Sequence, residues 1–401
     1  MNIETIRVKN FKALCDIEIT EVPPYCVFVG RNGTGKTTLF RVFAFLKNCL
    51  AKNVRAALNI EGGRNGLKEV LSRGHENEDL EIEIQFRLDI AGTNRLVTYR
   101  LEIGNDQGNG PIVKREILRY KRGPHGSPFH FIDFKNGEGY AITNEEDFDK
   151  KDSELTREPQ KLDSPETLAV KGLGQFERFK AASAFRQLIE NWHISDFHIS
   201  SARGDKEEED SLHLSPSGDN LPSTARYLYE KHPGIFESIK KKMLERVPGV
   251  ADIAVTVTDD GRLLMRYKDG AFVDPFIDKN VSDGTIKMFA YLVLLADPKP
   301  HPILCVEEPE NQLYPELMSV LAEEFLQYSE RGGQVFVSSH SPDFLNSVPL
   351  DCIYWLEKEN GKSTVYHASD HPLLVRLYKK GDLPGYLWNQ GLFNSKSLLV
   401  T

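Results

Sequence analysis

The stretch Gly30-Arg31-Asn32-Gly33-Thr34-Gly35-Lys36-Thr37-Thr38 fits the spacing G-x-x-x-x-G-K-[ST]. That spacing suits the holding of a phosphate chain. Gly30, Gly33 and Gly35 let backbone N–H groups close around an anion, and Asn32, Thr34 and Thr38 complete the loop. Lys36 would neutralise the terminal phosphates, and the Thr37 hydroxyl suits Mg2+. A helix starting directly after the loop would add the partial positive charge of its N-terminus.

A second chemical group lies far downstream. The apolar run Ile303-Leu304-Cys305-Val306 ends in Glu307-Glu308. This describes a buried strand that delivers two carboxylates at its C-terminal edge, where ligands of open α/β sheets bind. Glu307 suits Mg2+, directly or through water, and Glu308 suits polarising an attacking water for phosphoryl transfer. The run Val335-Phe336-Val337 leads into Ser338-Ser339-His340, so an imidazole could reach the same cleft and sense a terminal phosphate. Ser282-Asp283-Gly284-Thr285 opens an apolar helix. Its serine and N–H groups could form an anion site, but taken alone they read first as an ordinary N-cap by Ser282 or Asp283.

Elements able to position these groups can be read from the pattern. Tyr25-Cys26-Val27-Phe28-Val29 predicts a buried strand before the loop, and Leu39 to Leu46 a helix after it. Ile3 to Thr20 predicts two strands around a turn near Asn10–Leu14. Leu80–Ile90, Arg95–Ile103, Ile112–Tyr120 and Phe129–Phe134 predict an antiparallel meander, and the charged stretch from Asn144 to Ser164 an exposed excursion. Helical spacing covers Phe176–Trp192, Ala225–Leu244, Thr285–Ala296 and Pro315–Tyr328. Asp259-Asp260-Gly261 marks a hairpin. Lys206 to Asp210 reads as a mobile surface loop. Repeats and long heptad runs are lacking.

Bulk composition bounds the function. The chain has 401 residues, 40% hydrophobic and 27% charged, in keeping with a folded globular protein. No apolar run approaches the ~20 residues of a membrane span, and no leader pattern opens the chain. Five scattered cysteines lack metal-ligand spacing and read as reduced core thiols, which predicts a cytoplasmic protein. A net charge of −9 argues against wholesale coating of nucleic acid. Two basic strips, Lys114-Arg115 with Arg119, Lys121 and Arg122, and Lys240-Lys241-Lys242 with Arg246, read as solvated faces.

The order of these motifs resembles the ABC-type ATPase heads of the RecF, structural-maintenance-of-chromosomes and OLD nuclease group. It is especially similar to the single-chain AAA-like ATPases of bacterial defence loci. The resemblance runs through Val8-Lys9-Asn10-Phe11-Lys12, the loop Gly30–Thr38, the signature position Ser282-Asp283-Gly284-Thr285, the acidic segment Glu307 to Pro315 and the switch segment Ser338 to Pro342. It implies an α/β fold, a P-loop NTPase head with a mixed sheet, an antiparallel β subdomain and a helical insertion. The implied segments are 1–79 and 215–401 for the two parts of the head and 80–214 for the insertion, as a lid, a dimer arm or a partner-docking surface. The resemblance further implies ATP and Mg2+, and an ATP-linked homodimer or higher oligomer. Lys36, Thr37, Glu307, Glu308 and His340 would act within one head, and Ser282, Asp283 and Gly284 would cap the γ-phosphate of the other.

The implied partner is a separately encoded effector protein, a toprim-like nuclease among the candidates, with no membrane. DNA binding of the RecF kind is the alternative. The sequence also departs from the pattern. Glu307 stands where aspartate is common, and Ser282-Asp283-Gly284 replaces the serine-glycine-glycine of transporters. Gln85 lies on an apparent strand, so no glutamine-loop residue is assigned. The acids after His340 form no Asp-x-Asp, so no nuclease centre is expected in this stretch, and His367 and His371 near Asp370 read as a surface loop.

Overall fold

The computed structural model describes residues 2–90, 92–106, 110–121, 127–145, 151–204 and 211–395. Arg122 and the expected loop Lys206–Asp210 lie outside them. The chain forms two compact units, Met1–Trp192 with Tyr354–Asp370, and His193–Ile353 with His371–Thr401.

The first unit opens with β1 (Ile3–Phe11) and β2 (Leu14–Thr20), paired antiparallel around the expected turn. β3 (Tyr25–Val29) is buried along its whole length. The loop feeds α1 (Lys36–Ala51), which buries Leu39, Phe40, Val42, Phe43, Phe45 and Leu46. Then come α2 (Val54–Gly62), capped by the Asn53 side chain, and α3 (Leu67–Val70). The meander follows as β4 (Leu80–Ile90), β5 (Thr93–Asp106), β6 (Gly110–Tyr120), β7 (Phe129–Lys135), β8 (Glu138–Ile142) and β9 (Arg157–Lys161). The sheet order is β2-β1-β4-β5-β6-β7-β8-β9, antiparallel throughout. β4 shows the reason for this build. Leu80, Ile82, Ile84, Phe86, Leu88 and Ile90 alternate with polar residues, so one face is apolar and must be covered. β9 falls inside the expected excursion. It is an edge strand carrying Pro159, and that position needs no buried side chains.

The apolar face is covered by α4 (Ala169–Leu173) and α5 (Lys180–Glu190), with Phe185 against Phe86 and Tyr99 at ring separations of 4.9 and 4.4 Å. Neither helix caps itself. Glu116 of β6 instead accepts the N–H of Ala169 and Val170 and the Tyr99 hydroxyl, and Glu145 accepts the Ala181 N–H. Burial drives both carboxyls upward, Glu116 to about 7 and Glu145 to about 8, against the pull of these donors.

The second unit contains β10 (His193–Ser195), α6 (Ile199–Ala202), α7 (Leu221–Lys231) and α8 (Pro233–Arg246). The single helix expected over Ala225–Leu244 is therefore two. Pro233 lacks an N–H and its ring disfavours a helical His232, which sits at φ −135° and ψ 57°. β11 (Val250–Val257) and β12 (Leu263–Asp269) make the expected hairpin, joined by β13 (Phe276–Ile277). Next come α9 (Asp283–Leu295), β14 (Ile303–Glu307), α10 (Glu316–Glu330), β15 (Gln334–Ser338) and α11 (Pro342–Leu345). β10, β14 and β15 are parallel, with Glu307 opposite Ser338. Their apolar runs are continuous, as expected for strands buried on both faces.

The chain re-enters the first unit as the hairpin β16 (Ile353–Glu359) and β17 (Lys362–His367), beside β3, with Tyr354 stacked 5.4 Å from Phe28. It ends in the second unit with α12 (Pro372–Lys379) and α13 (Pro384–Asn389). His371 is not on a surface loop. It is buried, and its ring accepts the Leu374 N–H at the start of α12. Among the described residues, no helix is long and apolar enough to cross a membrane. The second basic strip is paired with acids, Lys240 with Asp252 and Lys242 with Glu324 at 2.6 Å each.

Candidate functional site

The candidate residues form two groups, one in each unit. In the first unit the loop between β3 and α1 turns on Gly33 at φ 80° and Gly35 at φ 107°, both in the left-handed region. A Cβ on Gly35 would lie 2.6 Å from Ser363 Oγ, and one on Gly30 would lie 2.6 Å from Thr34 Oγ1 and 2.8 Å from the Leu356 carbonyl oxygen. Glycine is thus required by space as well as by dihedral.

The buried Lys36 ammonium donates to the Gly30 carbonyl at 2.7 Å, and Thr34 Oγ1 donates to the Arg31 carbonyl at 2.8 Å. Arg31, Asn32, Gly33 and Thr37 are exposed, and Thr38 is half-buried. The Thr37 hydroxyl thus stands open on the first turn of α1. Ser363 of β17 donates to the Thr34 carbonyl at 2.7 Å and clamps the loop from 329 residues away in sequence. Nothing in the local pattern marks Ser363. It shows only as a buried serine on a strand.

In the second unit, Glu307 ends β14 and Glu308 begins the turn at φ 44°. The Glu308 N–H bonds the Ser338 carbonyl at 2.9 Å, which joins the ends of β14 and β15. Its carboxylate accepts from Asn311 Nδ2 at 3.0 Å, and His340 Nδ1 lies 3.5 Å away. Glu310 accepts from Ser339 Oγ at 2.9 Å and from the His340 N–H at 2.8 Å, so it shapes the segment that carries the histidine. The structure brings Glu308 and His340 next to each other, while sequence reasoning left Glu310 and Asn311 without roles.

Lys287 was also missed. It lies buried on α9, donates to the Asn311 carbonyl at 2.6 Å and sits 5.7 Å from the Tyr291 ring centroid. Burial pulls its ammonium down to about 8, opposed by the charges of Glu310 and Glu308.

Ser282 is the N-cap of α9, accepting the Thr285 N–H at 3.2 Å. Asp283 does not cap. It pairs with the Arg203 guanidinium, which also grips the Asp278 and Val281 carbonyls. Gly284 is packed so that a Cβ would lie 2.8 Å from the Gln312 carbonyl oxygen, which ties the start of α9 to the turn after β14. Ser282, Asp283, Asn311 and Gln312 are exposed. Gln85 pairs across β4 with Thr5 and Thr98, a sheet position and not a loop.

A glycine-turned loop opening a helix suits a phosphate, and a doubly acidic strand end suits Mg2+. The family described as "AAA domain, putative AbiEii toxin, Type IV TA system" matches residues 26–346, and the chain belongs to it. The DNA replication and repair protein RecF of Lactococcus lactis subsp. cremoris (strain MG1363) is 24% identical over 147 residues, 35% of this chain and 40% of RecF; the strain SK11 protein matches equally. The chain thus spans about two-fifths of the length of these curated relatives. Among solved structures, an Smc head bound to the C-winged helix domain of ScpA gives a TM-score of 0.57 at 14% identity, covering 91% of this chain and 98% of that one. An Smc head with an extended coiled coil, bound to the C-terminal domain of ScpA derived from Pyrococcus furiosus, gives 0.54 at 14%, covering 94% and 99%. The chain has the α/β fold of an SMC-type head.

Proposed function

We propose that this chain hydrolyses ATP, closes on a second copy while ATP is bound, and through that motion switches a separately encoded effector protein in antiphage defence. The observation that carries the hydrolysis is the setting of Glu308. Its carboxylate is oriented by Asn311, with His340 Nδ1 3.5 Å away, at the end of a parallel strand. That orientation suits a water-positioning base. The Thr37 hydroxyl and the Glu307 carboxylate are hard oxygen donors suited to Mg2+, which when bound neutralises phosphate charge. The exposed Ser282 at the start of α9 suits capping of nucleotide held by a second copy. The description of the matching family supports a toxin or defence setting, and a toprim-like nuclease is one effector chemistry that fits.

The test is the mass of the full chain with and without ATP. Glu308→Gln should abolish turnover and accumulate the dimer. Unchanged mass in ATP for both proteins would overturn the dimer switch. The similarity to RecF favours a second reading, a DNA repair or maintenance ATPase. ATP-dependent DNA binding that weakens steeply with salt would select it.

A further inference from the structure

Away from the nucleotide chemistry, the second unit gathers His213, Asp297 and His301, whose ligand atoms all lie within 4.8 Å of one another. We propose that these side chains form a binding site for a divalent transition-metal ion of the zinc type. Two imidazoles and one carboxylate are a donor set these ions accept, with a fourth position left for water.

The geometry is that of a prepared site. Asp297 is buried, and its Oδ1 accepts the Lys299 N–H at 2.8 Å. This turns Oδ2 toward both rings, 2.6 Å from His213 Nδ1 and 4.0 Å from His301 Nε2. Zinc ligands stand about 2.0–2.2 Å from the ion and so about 3.3 Å from each other, which asks the His213–Asp297 pair to open by about 0.7 Å and the widest separation to close by about 1.5 Å at most.

Each ligand's backbone is fixed from outside. Asn220 Nδ2 holds the His213 carbonyl at 2.9 Å, Arg331 holds the Asp297 carbonyl at 3.3 Å, and the Tyr328 hydroxyl accepts the His301 N–H at 2.6 Å. The His193 ring, 4.8 Å from that of His301, supplies a further wall of imidazole. Outer contacts of this kind orient metal ligands. The ion would tie the segment before α7 to the chain that enters β14, the strand that ends in the two acids. None of these contacts depends on how nucleotide is bound or hydrolysed.

The full chain, stripped with chelator and free of nucleotide, is titrated with ZnCl2 against a chromophoric chelator. A parallel sample takes CoCl2. One zinc per chain is expected, with the visible spectrum of a low-coordinate nitrogen–oxygen cobalt site. Zinc affinity should fall by at least about tenfold in His213→Gln, Asp297→Asn and His301→Gln, and stay unchanged in Thr37→Ala. The His213 ring is part-exposed, so His213→Gln decides if the buried variants fail to fold. No uptake, unchanged affinity in His213→Gln, or a cobalt spectrum dominated by thiolate charge transfer would each overturn the site.

Discussion

The clamps around the phosphate loop end on backbone atoms. Lys36 and Ser363 hold the carbonyls of Gly30 and Thr34, and the path itself is drawn by Gly33 and Gly35. Around the acidic turn the clamps also reach side chains, beside the Asn311 carbonyl held by Lys287. Asn311 and His340 face the Glu308 carboxylate, and Glu310 gathers Ser339 and the His340 N–H. A site that offers N–H groups to phosphate needs a fixed main chain, which glycine spacing supplies. A site that positions water needs a fixed carboxylate, and at Glu308 it is the Asn311 amide and the His340 ring that face it. The first region should therefore fail in binding and the second in turnover.

Glu308→Gln makes the sharpest test of that division. It should lower kcat by about 100- to 10,000-fold while nucleotide affinity holds. A variant that hydrolyses at the original rate would remove Glu308 as the base.

The acidic region should also carry a pH signature. Lys287 is held near 8 when folded and stands at 10.5 otherwise. Below about 8 it is protonated in both states, and its burial as a cation is opposed in full. Between about 8 and 10.5 the unfolded chain binds more protons, so stability should rise with pH across that window. The gain should reach up to about 3 kcal/mol and vanish in Lys287→Met, as read from denaturant midpoints at each pH. A slope that persists in Lys287→Met would assign the titration to another group.

On the loop side, Lys36→Ala should weaken nucleotide binding by about 10- to 150-fold, the loss of about 1.5–3 kcal/mol for a charged hydrogen bond. Calorimetric titration showing equal affinity would separate this loop from phosphate. The smallest effect should come from Ser363→Ala, about 1 kcal/mol of stability, with nucleotide affinity falling alongside. Lost stability without lost affinity would make Ser363 a packing residue and weaken the view that a distant clamp shapes the loop.

Most strands were legible because their signals are local. β1, β2, β3 and the strands of the meander repeat every second residue or run wholly apolar. α7 and α8 were merged because helical spacing runs through His232, while Pro233 breaks the chain there. The helix α5 was legible from its spacing within Phe176–Trp192, whereas the short α4 was not, since a carboxylate distant in sequence caps it. The site was legible where a motif forces a backbone, at Gly30–Thr38 and at Glu307-Glu308. It was illegible where a side chain answers a group outside its own local motif, as with Ser363, Arg203, Lys287 and Glu310.

What the chain's order of residues determined by itself was the kind of chemistry. A glycine-spaced lysine loop and an apolar strand ending in acids each carry their physical reason within a few neighbouring positions. Only the tertiary structure decided what holds them in place: Ser363 beneath the loop, Arg203 on Asp283, Lys287 on the turn after β14, and two histidines facing one buried aspartate. The longest of those contacts joins Ser363 to Thr34, 329 positions apart. Their geometry exists only once the sheets and helices have packed.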